Sequence, residues 1–154
     1  MIFDREISIY SNVSDTKGSV GTLRDFLNIG LRHKDYIDRL RQTSGDERKE
    51  MKLNLPCATI SGVFGKRGKQ GLIRHSGLIV LDMDDVPDCA ELIAQLADMD
   101  MVAYAGRSVG GKGVYAIVQI AYPEKHVQQW ESLRRYFDSL GITVDPQTKD
   151  VARL

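Results

Sequence analysis

The sequence predicts an α+β fold, on three observations: an alternating strand followed by three helical stretches in the first half, strand and helix patterns taking turns in the second, and one long amphipathic helix near the end. At 154 residues, with 42% hydrophobic and 27% charged side chains, the chain has the size and make-up of a single globular domain, residues 1–154. Residues 6–10 alternate as a half-buried strand does, and Ser14, Asp15 and Gly18 then supply turn chemistry. Helical patterns cover residues 22–29, 34–42 and 46–53; in the last, the string DERKEMK is dominated by charge and reads as a solvated helix face. Pro56 stops it. The string CATISGVFG reads as one β-branched strand, and residues 66–77, KRGKQGLIRHSG, as a loop.

The second half has a cleaner rhythm. Residues 77–84 form an apolar strand, 88–99 a helix spaced by Leu92, Ile93 and Leu96, 101–107 a strand, and 114–120 another strand after the glycine-rich link SVGGKG. A helix over 126–140 places Val127, Trp130, Leu133, Tyr136, Phe137 and Leu140 on one stripe; Gly141 closes it, and residues 142–145 return to strand. In order this is βαββαβ, which predicts a ferredoxin-like or RNA-recognition-motif-like sheet over about residues 77–154, packed against an N-terminal α+β unit over 1–76.

Composition excludes several classes. Twenty-one basic and 21 acidic side chains cancel, so no polybasic tail or wholly cationic face is present and any anionic ligand must meet a local site. Cys57 and Cys89 have neither disulfide-framework nor zinc spacing, which suits a reducing cytoplasm. Asp4 and Glu6 lie where a signal peptide would be basic and then apolar, and no apolar run is long enough to span a bilayer, so a soluble cytoplasmic protein without a membrane partner is expected.

The sharpest feature is LIVLDMDDV, residues 78–86, a buried strand whose apolar run breaks into carboxylates. Alternation puts Leu78, Val80, Asp82 and Asp84 on one face and Ile79, Leu81 and Met83 on the other. If the second set packs on helices, Asp82 and Asp84 project from the sheet's open face, where hard oxygen donors suit Mg2+ or Mn2+. The same acids also suit a strand end, and Asp85 and Asp88 a turn and a helix cap. The link GRSVGGKGVY offers backbone N–H groups through Gly110, Gly111 and Gly113, a hydroxyl from Ser108, and charge from Arg107 and Lys112. That set fits a phosphate cradle, and equally a flexible hairpin turn; Walker A spacing is absent. In VDPQTKDVARL, Asp145 follows a short strand that the topology brings beside the first, near Asp82 and Asp84, and Arg153 is a candidate phosphate contact. Lys66, Arg67, Lys69, Arg74 and His75 form the one acid-free basic stretch, suited to a nucleic-acid backbone or to a solvated loop.

This combination resembles the archaeo-eukaryotic primase superfamily of primase-polymerases. More narrowly, LPCATISGVFGKRG and HSGLIVLDMDD resemble the mobile-element branch found upstream of virulence-associated protein E-like helicases. The resemblance implies a DNA primase/polymerase-type nucleotidyltransferase. In that reading Asp82, Asp84 and Asp145 are catalytic and hold two divalent metals, nucleoside triphosphates and a DNA template are substrates, and a helicase domain acts in cis or trans. It also implies that the chain is the catalytic core of a longer protein. One motif departs: Tyr115 stands where the superfamily typically places the histidine that meets the triphosphate, and a phenol donates a hydrogen bond but carries no positive charge at neutral pH. That departure supports an alternative, a catalytically reduced nucleic-acid or nucleotide-binding module that positions a helicase. LDMDDV also superficially resembles the nucleophile motif of haloacid-dehalogenase-type phosphatases, which instead lies near the N-terminus ahead of a long Rossmann-like chain.

Overall fold

A computed structural model describes residues 1–154 as an α+β protein with three small antiparallel sheets and five α-helices. In the N-terminal unit, β1 (Glu6–Tyr10) is the middle strand of a sheet completed by β2 (Ser19–Thr22) and β3 (Cys57–Thr59). Thr22 ends β2 and starts α1 (Leu23–Arg32) with a capping box: Asp25 N–H donates to its hydroxyl at 3.1 Å while its own N–H donates to the Asp25 carboxylate at 2.9 Å. Two further helices follow, α2 (Lys34–Gln42) and α3 (Gly45–Leu53).

CATISGVFG is not one strand. It turns at Ile60 and Ser61, so that β3 and β4 (Gly62–Phe64) belong to different sheets, and β4 pairs with β5 (Leu72–His75) inside the expected loop. Buried hydroxyls decide the break: Ser8 Oγ accepts from Phe64 N–H at 2.9 Å and Thr59 Oγ1 donates to the Gly62 carbonyl at 3.1 Å. Alternation reports burial, and burial here does not require a continuous ladder.

The C-terminal unit runs β6 (Leu78–Met83), α4 (Cys89–Ala97), β7 (Val102–Arg107), β8 (Val114–Gln119) and α5 (His126–Ser139), with strand order β6-β8-β7. Asp88 caps α4, accepting from Glu91 N–H at 3.0 Å. One face of the sheet presents Ile79, Leu81, Met83, Ala116 and Val118 to Leu96 of α4 and Trp130 and Phe137 of α5. The other face is covered too: Leu78 and Ile117, with Val80, Tyr104 and Tyr115 beside them, pack against Ile7, Leu23, Ala58 and Ile60 of the N-terminal unit. Each large apolar side chain so buried contributes about 1.5–3 kcal/mol. The face expected to be open is therefore open only where the acids lie.

Residues 142–145 do not form the expected last strand. Ile142 and Val144 are buried as a strand would bury them, but the segment makes a single ladder-like bond, Asp145 N–H to the Asp82 carbonyl at 2.8 Å. Gly141, at φ 76°, ends α5 on one side, and Pro146, which has no N–H to give, starts a 3-10 turn (Pro146–Lys149) on the other, so that the segment's pairing with β6 stops at Asp145. No helix is long and apolar enough to cross a membrane.

Candidate functional site

The three acids meet at one end of β6. Asp82 is half-buried on the strand, while Asp84 lies just past its end and is exposed. Asp145, whose side chain is 17% exposed, is drawn in by its backbone bond to Asp82; its carboxylate accepts from Gln147 N–H at 3.0 Å and lies 3.7 Å from Arg153 Nη2. Burial raises the pKa of Asp82; Arg153 and Lys52 oppose that rise, and the charges of Asp84 and Asp145 add to it. The side chains are not gathered into a ready group of three metal ligands, because Asp145 is turned to its turn and to Arg153. In kind the donors fit a hard divalent cation: only oxygens, with one half-buried carboxylate, Asp82, whose charge burial disfavours.

The link between β7 and β8 folds onto its own serine. Ser108 N–H donates to the Gly113 carbonyl at 2.9 Å, Gly113 N–H donates to Ser108 Oγ at 3.1 Å, and Gly111 N–H donates to the Ser108 carbonyl at 2.9 Å. The hydroxyl expected to meet a ligand thus closes the loop. Gly113 is required by close approach: a Cβ there would sit 2.7 Å from the Met83 carbonyl oxygen and 3.6 Å from Asp84 Cα. The loop therefore rests directly on the acidic end of β6. Its own cations look elsewhere. Arg107 donates to the Gly111 carbonyl at 2.7 Å, and Arg107 and Lys112 line a cavity of about 680 Å³ with Asp85, Asp88, Cys89 and Ile93.

Tyr115 is the cross-strand partner of Asp82, a placement the ladder register sets. Its ring lies 5.8 Å from that of Tyr104, and burial raises its pKa further above the neutral range, so it is an uncharged phenol beside the acids.

Three cations that sequence reasoning did not single out, two of them in the stretch DERKEMK read as a solvated face, arrive from the N-terminal helices. Arg41 of α2 donates to the Ser108 carbonyl at 2.9 Å and the Val109 carbonyl at 3.3 Å, and Arg48 of α3 donates to the Gly110 carbonyl. Lys52, one turn beyond Arg48, comes to the same glycine: a Cβ on Gly110 would lie 3.3 Å from Arg48 Nη2 and 3.9 Å from Lys52 Nζ. The spacing of Arg48 and Lys52 on one helix face was the available signal; which element that face meets was not.

The basic stretch before β6 is not one free surface. Arg67 donates to the Asp15 and Val13 carbonyls and lies over the Tyr10 ring at 5.8 Å, Arg74 pairs with Glu6, and His75 Nε2 lies 2.9 Å from His126 Nδ1. Burial, and then the neighbouring His126, hold His75 at a pKa of about 4, so it is neutral near pH 7 and offers no cation to a nucleic acid. Lys66 and Lys69 remain exposed.

Fold and site define an α+β protein of two packed units, with carboxylates at one end of β6 and a guanidinium-held loop beside them. The chain belongs to the family described as BT4734-like, N-terminal domain, which matches residues 50–154. No curated protein and no solved structure matches it.

Proposed function

We propose that the chain is a metal-dependent nucleotidyltransferase of the DNA primase/polymerase type, acting in the cytoplasm in replication of a mobile or plasmid-like element, with a helicase domain in cis or trans. The observation that carries this reading is the 2.8 Å bond from Asp145 N–H to the Asp82 carbonyl, which brings a third acid from the far end of the chain to the pair at the end of β6. Asp82, Asp84 and Asp145 would hold Mg2+ or Mn2+. When bound, such ions supply Lewis-acid activation of the attacking 3′-hydroxyl and neutralise charge on the leaving pyrophosphate. The chain's own work is positioning. Gly113 keeps the loop against the acids, Tyr115 would offer a substrate a hydrogen bond from a neutral phenol, and the apolar contact of Leu78 and Ile117 with the N-terminal unit fixes the two units against each other. In primer-extension assays with manganese or magnesium, Asp82→Asn with Asp84→Asn lowers incorporation at least about 100-fold. Wild-type-level incorporation by that double variant would remove the metal roles.

A second reading is favoured by Tyr115 and by the engagement of Asp145 with Arg153 and Gln147: a nucleotide- or nucleic-acid-binding module with reduced chemistry. Salt-sensitive DNA binding by a wild-type protein that incorporates no nucleotide under either metal would establish it.

A further inference from the structure

The guanidinium groups that hold the loop donate their hydrogen bonds to neutral atoms, with one long ion pair from Arg41 to Asp38. Arg48 donates only to carbonyl oxygens, those of Thr43 at 3.4 Å and of Gly110; Arg41 donates to those of Ser108 and Val109, with Asp38 no nearer than 3.9 Å. Lys52, exposed, lies beside them at Gly110. A carbonyl satisfies a donor without neutralising its charge, and a hydrogen bond from such a cation to an anion is roughly twice as strong as one between neutral groups. The loop that these cations reach through Gly110 and Gly111 is the same loop whose Gly113 abuts Met83 and Asp84, so positive groups and carboxylates meet on one short segment. The loop's own Arg107 and Lys112 are less suited to an anion there, since they share their cavity with the carboxylates of Asp85 and Asp88.

We propose that Arg48 and Lys52 of α3, with Arg41 of α2, bind the polyphosphate of a nucleoside triphosphate at the loop beside Asp82, Asp84 and Asp145. This rests on the nucleotidyl-transfer reading and assigns its phosphate-binding cations to the N-terminal helices instead of to Arg107 and Lys112. The incoming phosphates take Arg48 from the Gly110 carbonyl, so binding and release of the loop are coupled.

The test is equilibrium binding of a fluorescent deoxynucleoside triphosphate by the full chain, in EDTA and in magnesium, with inorganic tripolyphosphate and a single-stranded oligonucleotide as competitors. Lys52→Glu weakens triphosphate affinity at least tenfold, and the protein still folds because Lys52 is exposed and makes no hydrogen bond in the fold. Arg48→Gln also weakens the affinity at least tenfold and Arg48→Lys recovers part of the loss, while Asp82→Asn with Asp84→Asn lowers incorporation yet keeps the affinity measured in EDTA. Tripolyphosphate competes. If Lys52→Glu and Arg48→Gln bind within twofold of wild type while Arg107→Gln with Lys112→Gln does not, this assignment is overturned and the nucleotidyl-transfer reading stands. If the wild type binds the oligonucleotide through these residues but no triphosphate, the cations serve a nucleic-acid backbone and the assignment again fails. A wild type with affinity for neither overturns both.

Discussion

Asp82 pays for its position in stability. Its pKa is raised because burial penalises the charged form, so between the ordinary carboxyl value of 3.8 and its raised folded value the native state binds more protons than the unfolded one. Stability contributed by this group is present below that window and lost as pH rises through it. Asp82→Asn removes the penalty: at pH 7 the variant gains on the order of 1 kcal/mol in chemical denaturation, and the gain shrinks toward zero as pH falls below about 4. If Asp82→Asn left the protein no more stable than wild type at pH 7, Arg153 and Lys52 would already compensate the charge. A residue that is costly to the fold and sits beside two like charges is better explained by a site than by packing.

At the scale of elements, the positions of the acids depend on short, irregular pieces. The turn Pro146–Lys149, which follows Asp145, is tied down by Trp130 Nε1–H donating to Thr148 Oγ1 at 3.0 Å, inside a buried region of α5. Thr148→Val keeps the volume but leaves the indole N–H without an acceptor, which costs about 1–3 kcal/mol and loosens the approach of Asp145 to β6. We expect a lowered thermal midpoint together with weaker manganese affinity; a drop in stability alone would mean that Asp145 is held by its backbone bond to Asp82. Regular elements were legible: α1, α2 and α3, the strand and helix order of the second half, and the packing of Ile79, Leu81 and Met83 on helices all follow from periodicity. The split of CATISGVFG into β3 and β4, the pairing of β5 and the missing last strand were not legible. Ladder partners and buried hydroxyls decide those, and neither leaves a periodic trace.

For the whole molecule, the two units are joined by apolar packing, by the Arg41 and Arg48 bonds to the β7–β8 link, and by a pair of imidazoles, His75 at the end of β5 with His126 at the start of α5. Gly77 N–H donates to His75 Nδ1 at 2.9 Å, so the His75 proton sits on Nε2 and is donated to His126 Nδ1. Both rings are held neutral by burial, with His126 also opposing a charge on His75 and with the Lys149 backbone and Asp150 favouring a charge on His126. The folded pKa of His75, about 4, lies below the ordinary value of 6.5, so the unfolded chain binds more protons in between. Stability is fully present above pH 6.5 and is lost as pH falls toward about 4. Denaturation measured across that window in wild type and His75→Asn isolates the link, because the carboxylates are common to both. The wild-type curve falls more steeply, and parallel curves would show that the pair does not couple folding to pH.

What the sequence by itself determined is local: helix periods, strand alternation, the break of β6 into carboxylates, and the glycines of the β7–β8 link, all readable because each is a property of neighbours in the chain. Only the tertiary structure decided which elements face each other. It put Tyr115 across the ladder from Asp82, replaced the expected last strand by a single bond from Asp145 to Asp82, set Arg107 and Lys112 on a cavity shared with Asp85 and Asp88, and brought Arg41, Arg48 and Lys52 from the N-terminal helices to the loop beside the acids. The reason is physical: an exposed charge has the same local pattern whether water or another unit lies opposite it, and only the burial of Leu78 and Ile117 against Ile7 and Leu23 selects which.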